Sequence, residues 1–354
     1  MRCPHCSGMT PALVLLADVP EVPDSPTRKV TLRIAKRQEP KVAEIFLKAI
    51  ENLKTQINEV SLAEAIATGA GKTVDAVRTV PVVGALTAEE SALFDVLFET
   101  QTLTGTAASE IVSEASGIEV AFNAKDPNAV IHARTQTAKL VVEVSETTKE
   151  AIRVAIAAGQ EIGLTPVQLA KYVREVVGLP PNWIEAPARL ERNLWDAVDE
   201  ALTKAERNAA ARNAVNRRLS AVDKARIRKR IKLGTVDQAF VDEMREKYGK
   251  SLLNRRALNI AQTETMRASN FGQHEAWRQA EKEGVLPSTS RRIVIITPDD
   301  RLRETHAQVA IMNSEGVRIN EPFDTPWGAL MDPPWEPLCR CGTGLIFPGL
   351  VGVL

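Results

Sequence analysis

A chain of 354 residues with 44% hydrophobic and 25% charged side chains has material for two or three packed units and the balance of a folded protein. Aromatic residues make up only 4%, while Ala, Glu, Lys, Arg and Val abound, which argues for helices and against a β-sandwich. Basic and acidic residues cancel to a formal net charge of zero, so no global field draws the chain to nucleic acid or to a membrane.

In chain order, residues 1–27 hold five prolines and no periodicity, and read as a tail. The apolar run "PALVLLADV" at 11–19 is far shorter than the roughly 20 residues of a membrane span. It also lacks a basic leader region and a cleavage site, so a protein made and used in a cytoplasm is expected. From Pro40 onward Val42, Phe46, Ala49, Leu53 and Ile57 recur at helical spacing, with Pro40 in the first turn. "SLAE" at 61–64 and "TAEE" at 87–90 each fit a capping box that opens a helix. The stretch 126–163 predicts one or two long helices ending at Gly163. In "TPVQLAKYVREVVGL" at 165–179, Thr165 caps, Pro166 sits in the first turn, Gln168 reaches back and Gly178 terminates. Segments 204–232 and 236–283 read as helices broken near Gly234 and Gly249. Beyond Gly284, "RRIVIITPDD" predicts a strand and a turn, and prolines and glycines crowd 316–349. The apolar ending "GTGLIFPGLVGVL" is expected to pack rather than stand exposed.

The expected fold class is therefore mainly α. It has a tail (1–27), an N-terminal helical region (28–125), a central helical region (126–284), and a small α+β or irregular C-terminal subdomain (285–354).

Chemistry-bearing residues are few. "ATGAGKT" at 67–73 lacks the first glycine of a phosphate loop, where Ile66 stands, and follows a helix rather than a strand, so a helix–helix turn is expected. From Lys204 to Lys232 there are eleven Lys/Arg against Glu206 and Asp223. Arg217, Arg218, Arg226, Arg228, Lys229, Arg230 and Lys232 are the candidate contacts to duplex DNA. Without interleaved aromatics such binding would be non-specific, and a solvated helix face is the alternative. On the helix at 256–280, Glu264 interrupts the stripe Ala257, Ile260, Ala261, Ala268, Phe271, and Arg267 one turn on is its candidate partner. Asp299, Asp300, Arg301, Arg303 and His306 follow the predicted strand. Glu264, Arg267, Asp300, Arg303 and His306 are read as a structural polar cluster, and no catalytic set is legible.

The four cysteines are Cys3, Cys6, Cys339 and Cys341. In a reducing compartment they are thiols or thiolate ligands rather than disulfides. Cys339 and Cys341 would share one face of an extended strand, able to grip a single ion or to lie buried as small side chains. Cys3 and Cys6 have zinc-knuckle spacing.

Taken in order, "DPNAV…SETTKEAIRVAIAAGQEIGLTPVQLAKYVREVVGL", "RALNIAQTETMRASNFGQHEAW", "TPDDRLRETHAQ" and "EPFDTPWGALMDPPWEPLCRC" resemble the phage Mu F-like head morphogenesis family across roughly residues 40–345. The resemblance implies a non-enzymatic minor capsid protein in the phage head at the portal vertex. It would serve procapsid assembly, with portal, major capsid or scaffold protein as partners. Packaged duplex DNA or its delivery is a further implied role. Relatives carry Cys-x-x-Cys where this chain has Arg303 and His306, and then His-x-x-Cys-x-Cys. The ligand set it implies here is His306, Cys339, Cys341 and Glu336, for zinc, with Cys3 and Cys6 as a second source of thiolates. An enzyme carried in the head, using Glu264, Asp300 and His306, is the alternative.

Overall fold

The computed structural model describes residues 25–68, 73–215, 218–297, 302–350 and 352–354. Cys3, Cys6, Arg217, Asp299, Asp300 and Arg301 lie outside the described residues, as does most of "ATGAGKT". The expected mainly α architecture is present, with a small β region near the C-terminus.

The helices are α1 (Pro26–Gln56), α2 (Glu59–Thr68), α3 (Thr73–Arg78), α4 (Val82–Thr87), α5 (Glu90–Ser116), α6 (Pro127–Glu161), α7 (Pro166–Val176), α8 (Ala186–Asp196), α9 (Lys204–Ala214), α10 (Ala221–Leu233), α11 (Gln238–Lys282) and α12 (Glu304–Met312). Several boundaries differ from expectation. The first helix starts at Pro26, with Pro40 in its interior rather than its first turn. Asn58, not Ser61, caps α2, its side-chain oxygen accepting from the amides of Val60 and Ser61. Thr87 ends α4 instead of capping the next helix, which opens at Glu90. α11 runs unbroken through Gly249 for 45 residues, because a lone glycine costs a helix only about 1 kcal/mol. Other signals hold. Thr165 and Gln168 form both bonds of a capping box, and α10 stops at Gly234 in the left-handed conformation, φ 64°.

The chain divides into two units that do not follow the chain-order boundaries read from sequence. Of the described residues, one comprises 25–42, 94–136 and 259–354, and the other 43–93 and 137–258. Among its described residues the second unit has helices and no strand. Within it α2 packs on α7 and α8 on α9. Gly178 has φ 90°, and a Cβ there would lie 2.6 Å from Ile50, so the turn after α7 needs glycine for both conformation and space. Arg256 donates to the Gly178 carbonyl at 2.7 Å and lies over the Phe46 ring; burial pushes its guanidinium down to about 10.

The first unit carries the β structure. Strands β1 (Arg291–Ile295), β2 (Val317–Arg318), β3 (Phe323–Thr325), β4 (Gly328–Leu330) and β5 (Gly342–Ile346) form a sheet of order β2-β1-β5 and a hairpin β3–β4, all antiparallel. The apolar C-terminal end does pack. Leu345 and Leu354 join Val112, Val120, Trp277, Leu286 and Ile319 in one core cluster, and exchange backbone hydrogen bonds with each other. A second cluster, Ile296, Val309, Phe323, Trp335, Cys339 and Cys341, lies under α12 and the hairpin. Gly272 lets α11 press against α5, since a Cβ there would overlap the Gln101 carbonyl.

Candidate metal centre

His306 sits in the first turn of α12, and the two cysteines flank Arg340 just before β5. The loop that delivers them turns sharply at Leu338, a non-glycine residue at φ 63°, whose amide is held by the Thr263 hydroxyl at 3.1 Å. Both sulfurs converge on one ring nitrogen. Nδ1 of His306 is 3.6 Å from Cys339 Sγ and 3.5 Å from Cys341 Sγ, and all three residues are buried. A tetrahedral zinc ion holds sulfur at about 2.3 Å and imidazole nitrogen at about 2.0–2.1 Å, which puts the two donor atoms about 3.5–3.6 Å apart. The donor set and its spacing therefore fit zinc, and the three ligand atoms lie within 4.8 Å of one another.

Glu336 is not among those ligand atoms. Its carboxylate lies on the other side of the ring, 3.1 Å from Nε2 of His306. A carboxylate there fixes the tautomer, with the proton on Nε2 and the Nδ1 lone pair turned toward the sulfurs. Arg303 supports the same group, 3.6 Å from Glu336 and donating to the Pro337 carbonyl at 2.9 Å. Glu336→Gln is accordingly expected to weaken zinc binding about 10- to 100-fold while leaving the stoichiometry at one, as read by competition with a chromophoric chelator.

The electrostatics suit a thiolate site. A hydrogen bond from Cys341, with His306 beside it, overcomes burial and holds the Cys339 thiol down to about 4. The same bond and burial push the Cys341 thiol up. Burial pulls the His306 imidazole down, but Cys339 and Glu336 outweigh it and leave the ring above its ordinary value. Arg28, in the first turn of α1, donates to Thr297 at 2.5 Å and to the Arg340 carbonyl at 3.1 Å, setting a cation behind the cysteine pair.

The expected polar cluster divides. Arg303 and His306 belong to the centre, whereas Glu264 accepts from Arg267 at 2.6 Å and from Gln136 at 3.0 Å. Sequence reading missed a larger polar network on the same stretch of α11. Asn270 donates to the carbonyls of Pro333 (3.0 Å) and Cys341 (3.3 Å), and Gln273 to that of Thr343 (2.6 Å). His274 places Nδ1 2.8 Å from Asp332 and Nε2 2.7 Å from the Ile319 carbonyl. Arg292, fully buried, reaches the other Asp332 oxygen at 2.8 Å and the carbonyls of Met331 (2.8 Å) and Glu321 (2.6 Å). The signal for this network was an α11 segment with polar residues on every face, which a helix shows when irregular chain wraps it.

The basic segment is partly committed. Arg226 makes a bidentate pair with Glu243 at 2.6 and 2.8 Å, holding that carboxyl down to about 2. Arg230 binds the Thr235 carbonyl and Asp237, and Arg218 lies over the Trp183 ring. Arg228, Lys229 and Lys232 remain exposed and unbonded among the described residues. No helix among the described residues is long and apolar enough to cross a membrane. The chain matches no protein-family model, no curated protein and no solved structure.

Proposed function

We propose that the chain is a non-enzymatic minor head component of a tailed phage, its C-terminal segment clasped by a zinc ion on His306, Cys339 and Cys341. The ion would supply a cross-link between the start of α12 and the strand entering β5, the type of closure that a short irregular segment gains most from. The observation that carries the reading is the convergence of the two sulfurs and Nδ1 at tetrahedral spacing, backed by Glu336. Three of the stretches that carry the family resemblance, on α11, on α12 and at 321–341, supply side chains of this unit's polar interior. There those groups are engaged with one another and with backbone carbonyls, which supports a holding role over turnover.

The test is compositional and genetic. Mass spectrometry of purified heads of the source phage is expected to find the chain, and heads made without it are expected to form in reduced yield. Heads that lack the chain and assemble normally overturn the proposal.

A further inference from the structure

The part of α1 that belongs to the first unit holds Arg28, Lys29, Arg33, Lys36, Arg37 and Lys41 against Glu39 alone. Arg28 is spent beside the cysteine pair, donating to Thr297 and to the Arg340 carbonyl. The other five cations fall within an arc of about 140° on a regular helix, over a rise of about 18 Å. Lys29, Arg33, Arg37 and Lys41 stand four residues apart, each over the next. Like charges at that spacing repel and weaken a helix.

Acids of the chain do not answer this face. Lys41 reaches Glu99 at 2.8 Å, and Lys29 is also engaged. Arg33, Lys36 and Arg37 are exposed and make no hydrogen bond or ion pair among the described residues. Arg37 adds only a longer-range pull on Glu99, after the bond from Lys41. Glu39 forms no ion pair with Lys36, and burial raises its carboxyl against the pull of that cation. Other exposed cations are answered within one helix turn, as in Lys139–Glu143, Arg189–Glu185 and Lys250–Glu246. On α1 the repulsion stands unrelieved, so an anion that relieves it has to come from outside the chain.

We propose that Arg33, Lys36 and Arg37 bind the phosphate backbone of duplex DNA without regard to base sequence. No large exposed hydrophobic side chain lies on α1 among the described residues, so the face lacks the apolar anchors that a protein partner or a membrane surface would take up. It carries no exposed aromatic ring either, which excludes stacking on the bases of a single strand. What it offers is a line of charge with two guanidinium forks, the chemistry that fits phosphate oxygens. The contact uses no ligand of the zinc centre.

Fluorescence anisotropy of the full chain with two short duplexes of unrelated sequence tests this. Both are expected to bind equally. Log K should fall against log salt with a slope at least as steep as about −2.7, the value for three phosphate contacts. Between about 0.05 and 0.2 M salt that is a loss of about 40-fold or more. R33Q/K36Q/R37Q keeps helix propensity and removes the like-charge contacts, so it should melt no lower than the wild type while its slope shrinks by about 2.7. R33Q or R37Q alone should shrink the slope by about 0.9. A wild type that binds neither duplex at about 0.05 M salt overturns the proposal. A triple variant with the slope of the wild type does so too, leaving the α10 cations as the contact. Phosphatidylserine vesicles and polyglutamate serve as the other anions. If the triple variant loses either of these yet holds duplex like the wild type, the face serves a membrane or an acidic protein and the proposal is overturned.

Discussion

Cys339→Ser and Cys341→Ser are each expected to take zinc binding from one equivalent per chain to none. Serine oxygen is a poor zinc donor, and what remains is a single thiolate and an imidazole. The stability consequence follows from mass action. Free zinc a hundredfold above its dissociation constant stabilises the folded chain by about 2.7 kcal/mol, and a thousandfold excess by about 4.1 kcal/mol. Thermal melts of the wild type should therefore rise with added zinc and fall with chelator, while those of both serine variants stay flat. The binding is also pH-dependent in a fixed direction. Cys341 is pushed up and His306 is held above its ordinary value, so lowering the pH favours the protonated forms that compete with the metal. Affinity should fall as pH falls, with protons released on binding, measurable as a buffer-dependent enthalpy in calorimetry. A zinc-dependent melt that persists in both serine variants would place the ion elsewhere.

Asp332→Asn is expected to destabilise the first unit by about 3–5 kcal/mol, the usual cost of removing one partner from a buried charge network. Among the described residues Asp332 is the carboxylate bonded to both Arg292 and His274, whose side chains are 0% and 4% exposed. An amide leaves the buried Arg292 guanidinium facing a neutral group in the interior. Amide hydrogen exchange of β1 and β5 should accelerate about 10²- to 10³-fold, with the second unit unaffected. Replacing all three together, Arg292→Met, His274→Phe and Asp332→Leu, should cost much less than Asp332→Asn alone, because no charge is then left unpaired.

These two sites were unequally legible. The cysteine pair and His306 were within reach because residue type and order restrict what two thiols and an imidazole can do. The role of Glu336 was not, since sequence spacing gives no account of which ring nitrogen faces the sulfurs. The Arg292–Asp332–His274 network joins residues 58 and 40 positions apart, and nothing local in "FGQHEAW" or "ALMDPPW" names its partner. Among the helices, α7 was readable to the residue because Thr165, Pro166 and Gln168 act locally. The stretch 26–39 was not, being too polar to show an apolar period. The interleaving of the two units was invisible for a related reason. Helical periodicity reports which face is buried and not which distant helix buries it.

Zinc-edge X-ray absorption on the purified, metal-replete chain addresses the central claim most directly. The account predicts one zinc per chain with two sulfur scatterers at about 2.3 Å and lighter donors at about 2.0–2.1 Å. A coordination shell without sulfur, or a chain that takes up no stoichiometric zinc at neutral pH, would contradict it.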